Sequence, residues 1–129
     1  MNILTLSIKQ KYFDEIVAGT KKTETREIRP NNFKRYCRYV HDGKEYVDLD
    51  DIPDDENEIY ITTVKYDALK LLTGEYKGKR PYIVVEVEDA EVVFITDESG
   101  NEITYEENGK EYVAAEIDYK LGKITEKSF

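Results

Sequence analysis

Followed for its alternation of apolar and polar positions, the chain opens with a short apolar run at 2–6 that has strand character. Ser7 and Gln10, three apart, have the capping-box spacing of a helix start. Tyr12, Phe13, Ile16 and Val17 then share one helical face by their i, i+4 relation, and Gly19 stands where a left-handed C-terminal cap belongs. The next run, 23–28, alternates with the period of a strand, and Pro30 prevents its simple continuation as a central one. The opening pattern is β-α-β.

Asn32 suits an N-cap, and Phe33, Tyr36, Cys37 and Val40 have helical spacing after it. They predict a second helix that leaves Lys34, Arg35 and Arg38 mostly off the apolar face. Residues 42–58 are acidic and turn-rich and predict an excursion loop, 59–64 reads as a strand, and 66–72 reads as a helix carrying Ala68, Leu69 and Leu72 and stopping near Gly74. Further strands are predicted at 82–87, 91–96, 102–106 and 111–119, with Ser99-Gly100-Asn101 and Asn108-Gly109 as the turns. Segments 42–47 and 108–113 share the pattern Gly-Lys-Glu-Tyr-Val after Asp or Asn, which reads as a reused turn rather than a repeat. Several short strands with two or three short helices predict an α+β barrel, in one domain spanning 1–129.

Composition narrows the chemistry. One cysteine, Cys37, and one histidine, His41, provide neither a disulfide framework nor a zinc site, so no metal and no cofactor is expected. Cys37 reads as packing in the second helix, and His41, beside Asp42-Gly43, as a turn residue. The apolar stretch within residues 1–8 is far shorter than a signal-peptide core or a spanning helix, so a cytoplasmic protein without a membrane partner is expected, with a monomer as the default. With 11 Tyr and no Trp, any ligand platform must lean on tyrosine. Tyr12 and Tyr36 fall on apolar helix faces and read as core, leaving Tyr39 as the candidate for stacking on a base.

The net charge of −9 opposes nucleic-acid binding on average, but it is unevenly spread. Residues 1–40 carry nine Lys/Arg against four Asp/Glu, and the remainder ten against 24. An anionic ligand should therefore meet the N-terminal third. There, Gly19-Thr20-Lys21-Lys22-Thr23-Glu24-Thr25-Arg26 leads from the helix cap into the second strand. Residues two apart on a strand lie about 6.6 Å from each other on one face, so Glu24 and Arg26 point the same way, with Lys22 before them if the strand starts early. A carboxylate between cations orients an Arg toward a phosphate or the edge of a base. Spacing alone equally allows an exposed strand with cross-strand ion pairs worth a few tenths to about 1 kcal/mol.

The pattern Gly-x-Lys-x-x-Glu-x-Arg, carried by Gly19, Lys21, Glu24 and Arg26 after Leu6-Ser7-Ile8-Lys9 and Tyr12-Phe13-Asp14-Glu15-Ile16, resembles the signature of the ASCH domain family, which belongs with the PUA-like barrels. The run at 82–87 also looks like that family's later barrel strand. The resemblance implies a mixed β-barrel whose helix-flanked cleft, lined by Lys21, Glu24 and Arg26, takes RNA or a modified nucleoside. On that expectation a short single-stranded RNA element or a nucleotide-like molecule is the partner, and Ser7, Lys9, Lys22, Lys34, Arg35, Arg38 and Tyr39 complete the binding surface. One branch of the family is similar to amidohydrolases acting on N4-acetylcytidine, with a Lys, a Thr and a distant Glu. Here Lys21 matches, but Glu24 stands in place of the Thr, while Thr23 and Thr25 should face away by alternation. If the chain is an enzyme, Lys21 and Glu24 are its candidate catalytic residues, with Glu24 activating water. A third reading is a protein-interaction domain that uses the acidic second half.

Overall fold

The computed structural model describes residues 1–74 and 80–129. In chain order its elements are β1 (Ile3–Ser7), α1 (Gln10–Val17), β2 (Thr23–Ile28), α2 (Phe33–Tyr36), β3 (Cys37–His41), β4 (Lys44–Tyr46), a 3-10 turn (Leu49–Asp51), β5 (Ile59–Thr63), β6 (Ala68–Leu72), β7 (Tyr82–Phe94), β8 (Thr104–Glu107), β9 (Lys110–Val113) and β10 (Ala115–Lys127). The described residues are thus mostly β with two α-helices, a mixed α+β composition. They form a five-stranded sheet in the order β1-β6-β7-β10-β2, a three-stranded sheet β4-β3-β5 and the hairpin β8-β9. The chain divides into two compact units: Met1–Thr25 with Lys65–Ala90 and Asp118–Phe129, and Arg26–Val64 with Glu91–Ile117. By these ranges β2, β7 and β10 each contribute residues to both units.

The first unit is built on β1, which pairs in parallel with β6 from Ile3↔Ala68 to Ser7↔Leu72, and on β6 pairing antiparallel with β7. Leu4 and Leu6 of β1, Leu69 and Leu71 of β6 and Ile83 and Val85 of β7 are buried, and Phe13 and Ile16 are the buried residues of α1. β6 overturns the helix expected at 66–72. A strand flanked on both sides, with Ala68, Leu69 and Leu71 buried and Lys70 and Leu72 half-buried, has no clean polar alternation, so its Leu-rich run is indistinguishable from a helical one by periodicity. Pairing with β1 and β7 outweighs the helix propensity of Ala and Leu.

The second helix is also cut short. α2 is a single turn, and at Cys37 the backbone becomes extended (φ −134°, ψ 161°). β3 then pairs with both β4 and β5, a gain of hydrogen bonds on two sides that one unsupported helical turn cannot match. Cys37 consequently packs in a strand rather than a helix, fully buried. Asn32 makes no side-chain cap; its carboxamide accepts from Arg29 N–H (2.8 Å) and donates to the Glu27 carbonyl (3.1 Å), closing the turn after β2. The capping box expected at Ser7 and Gln10 is absent too. Lys9 occupies the N-cap without a side-chain bond, and Gln10 instead donates to Asp14 and accepts from Thr73.

Other boundaries shift for simpler reasons. The strands expected at 82–87 and 91–96 are the continuous β7, and the run 111–119 divides at Ala114 between β9 and β10. The two similar segments are two-residue hairpin loops of one kind. His41 opposes Lys44 and Glu107 opposes Lys110, and both central residues have positive φ: Asp42 (49°) and Gly43 (76°), Asn108 (52°) and Gly109 (79°).

The acidic segment 42–58 is more than a loose excursion, since it contains β4 and the 3-10 turn. It is also tied down at His41, which is not a turn residue but the buried end of β3, 3% exposed, with Nε2 2.7 Å from Asp55 Oδ1. That hydrogen bond, with a second from the Asn57 backbone N–H, holds the Asp55 carboxyl below its ordinary value.

Two outcomes are expected. Leu69→Ala, at a side chain with no exposure, should cost about 2–5 kcal/mol in chemical denaturation with the far-ultraviolet spectrum retained. Because the folded pKa of Asp55 is depressed, its tether contributes above the unfolded carboxyl value and is lost as pH falls through the folded one. The melting-temperature difference between the parent chain and Asp55→Asn should therefore shrink on acidification; a difference that is constant with pH would contradict this.

Candidate functional site

β2 presents its side chains as the alternation requires. Glu24, Arg26 and Ile28 face inward, with Glu24 only 5% exposed and Arg26 half-buried, whereas Thr23, Thr25 and Glu27 are exposed. Thr25 spends its hydroxyl on Asp118 (2.6 Å), away from the Glu24 face.

Lys21 reaches this strand through the end of α1. Gly19 takes φ +80°, with nothing near the position a Cβ would occupy, so the requirement there is conformational rather than steric. The Glu15 carbonyl accepts from the N–H groups of Thr20 (3.0 Å) and Lys21 (3.1 Å), and Lys22 is fixed by its carbonyl accepting from Leu121 N–H (2.9 Å). Lys21 Nζ then lies 4.0 Å from the Glu24 carboxylate and 5.3 Å from the ring centroid of Tyr12. Tyr12, expected in the core, is exposed and serves as a platform for that ammonium, whereas Tyr36 is buried as expected.

Lys21 and Lys22 line a pocket of about 380 Å³ in the first unit, together with Lys120, Glu88, Gly122 and apolar side chains that include Ile16 and Leu121. Lys120 pairs with Glu88 at 3.7 Å. A Cβ at Gly122 would stand 3.0 Å from Glu88 Cγ, so glycine leaves room for the carboxylate stem. The pocket wall has three ammonium groups against one carboxylate, and Glu24 is not part of it. Lys120 and Glu88 were hidden in the sequence because they belong to its acidic part, and only the pairing of β10 with its neighbours brings them to the motif.

The other candidate residues are not gathered into this pocket. In the first unit, Ser7 accepts from the Arg80 guanidinium (3.1 Å), which also donates to the Leu72 and Thr73 carbonyls, while Lys9 is exposed at the start of α1. Arg26, Lys34, Arg35, Arg38 and Tyr39 belong to the second unit. There Arg38 donates to the Lys34 and Cys37 carbonyls, Lys34 pairs with Asp48 at 3.1 Å, and Arg35 is exposed. Tyr39 stacks on Phe33 with centroids 4.7 Å apart. Burial raises the Tyr39 phenol above its ordinary value, aided by Cys37, Asp48 and Tyr112, and pushes the Cys37 thiol up to about 11.

Lys34 and Tyr39 instead line a cleft of about 470 Å³ lying wholly in the second unit, with Phe33, Phe94, Tyr105 and Tyr112 among its walls. One signal of this cleft was legible: the Asn108-Gly109 turn fixes the register that sets Tyr105 opposite Tyr112.

Among the described residues no group of three His, Cys, Asp or Glu is placed to hold a metal ion, and no helix is long and apolar enough to cross a membrane. No protein-family model, no curated protein and no solved structure matches the chain.

Proposed function

We propose that the chain is a binding module for RNA or a nucleotide-like molecule, which it holds by its phosphate at the lysine pocket of the first unit. The observation that carries this reading is a concentration of like charge where the average charge is opposite: Lys21, Lys22 and Lys120 against Glu88, in a chain of net charge −9. The Glu24 carboxylate lies 4.0 Å from the Lys21 ammonium and does not line the pocket, so it positions that ammonium without entering the ligand's space. The acidic surface elsewhere favours a short single-stranded element over long duplex, whose phosphates would be repelled. The likeness of Gly19, Lys21, Glu24 and Arg26 to the ASCH signature, and with it a PUA-like barrel, supports the same reading.

Binding is favoured over acyl-group hydrolysis because Glu24, the candidate for activating water, is buried and does not line the pocket, and because both threonines of β2 face away from it.

Affinity for a pool of short single-stranded oligoribonucleotides should fall as salt rises. Lys21→Ala/Lys120→Ala should weaken it and reduce the slope of log K against log salt by about 0.7 for each phosphate that is no longer neutralised. Salt-independent binding, or an unchanged slope in the double variant, would overturn the reading; release of acetate from N4-acetylcytidine in the same samples would replace it with the hydrolase.

A further inference from the structure

The second unit holds a site of different chemistry from the lysine pocket. Its cleft of about 470 Å³ falls within the range of small-molecule sites, and its lining is dominated by rings and aliphatic side chains. The rings come in two pairs with nearly parallel planes: Phe33 with Tyr39 at 26°, and Tyr105 with Tyr112 at 24° and 5.7 Å between centroids. Val47, Leu49, Ile61 and Phe94 of the same lining are 42–52% exposed, a concentration of open apolar surface that a small acidic chain would otherwise cover or replace.

The charges of the cleft decide what it takes. Arg29 and Lys34 are balanced by Asp48 and Asp50. The cleft therefore has no excess of cations, unlike the lysine pocket; Lys34 is paired with Asp48, and Arg29 is paired with Glu27 and lies with its guanidinium 4.2 Å from the centroid of Tyr105. The Arg29 guanidinium covers one face of Tyr105, so an incoming ring meets the rest of the aromatic and aliphatic lining. A phosphate would gain nothing here beyond what it gains from water, whereas an uncharged ring would gain stacking area.

We propose that this cleft is a binding site for an uncharged planar heteroaromatic ring, bound by stacking and independent of the lysine pocket. The phenol groups of Tyr39, Tyr105 and Tyr112 supply hydroxyls able to donate to or accept from the polar edge of such a ring. The ring belongs to a free small molecule or to a base within a strand; the stacking chemistry is common to both.

The test follows the tyrosine ring signals by NMR during titration with adenosine, adenosine 5′-monophosphate, indole and a short oligoadenylate. Adenosine and indole should shift the Tyr39, Tyr105 and Tyr112 signals with little dependence on salt, and the monophosphate should bind no better than adenosine. Tyr105→Leu, which keeps apolar bulk but removes a stacking face, should weaken adenosine binding at least about fivefold, the lower end of what one base–aromatic stack contributes. Phe94→Ser, at a half-exposed position, should weaken it in a variant that leaves the hairpin sequence intact.

Lys21→Ala/Lys120→Ala should leave adenosine binding unchanged, so failure of the phosphate reading and failure of this one are separable. Tighter binding of oligoadenylate through the same tyrosines assigns the ring to a base within a strand; equal or weaker binding assigns it to a free molecule. The proposal is overturned if neither adenosine nor indole shifts these signals at millimolar concentration, if both variants bind as the parent does, or if the monophosphate binds more tightly through the cleft.

Discussion

A carboxylate removed almost wholly from water must be answered by cations or hydrogen-bond donors, and Glu24 imposes that demand at the middle of the motif. It explains why Lys21 is delivered so deliberately. The helix ends at a left-handed glycine, the Glu15 carbonyl gathers the next two N–H groups, and the ammonium arrives 4.0 Å from the carboxylate. It also fixes the register of β2. A slip of one residue would turn Thr23, Thr25 and Glu27 inward and strand Arg26 and Ile28 on the exposed face.

Two kinds of recognition follow from how charge and aromatic area are distributed. In the first unit, lysines outnumber carboxylates around a pocket whose remaining walls are aliphatic. In the second, Arg29 and Lys34 are matched in number by Asp48 and Asp50, and the surface left open is aromatic and aliphatic. The first arrangement favours a phosphate, the second a ring. The acidic segment after β3 takes part in this division, since its Asp48 neutralises Lys34 and its Asp55 is fastened to His41.

What could be seen in the sequence was whatever local rules decide. Gly19 as a left-handed cap, the alternation that turns Glu24 and Arg26 one way and the threonines the other, and the Asn108-Gly109 hairpin all depend on a few neighbouring residues. What was hidden depends on pairing across the chain. Ala68–Leu72 is a strand only because β1 and β7 flank it, and Cys37–His41 only because β4 and β5 do. Lys120, distant in sequence and embedded in acidic surroundings, reaches the motif only through the sheet. The candidate cations after Asn32 were legible as basic residues but not as occupied ones. That Arg38 binds backbone carbonyls and Lys34 binds Asp48 depends on where α2 gives way to β3.

The function proposed for this chain rests on an anionic ligand being held at the lysine pocket of the first unit. Backbone amide shifts recorded while a pool of short single-stranded oligoribonucleotides is added test it directly. The largest changes are expected at Gly19 to Lys22 and around Lys120, growing weaker as salt is raised. Saturable binding that leaves those amides unmoved and perturbs others would contradict it.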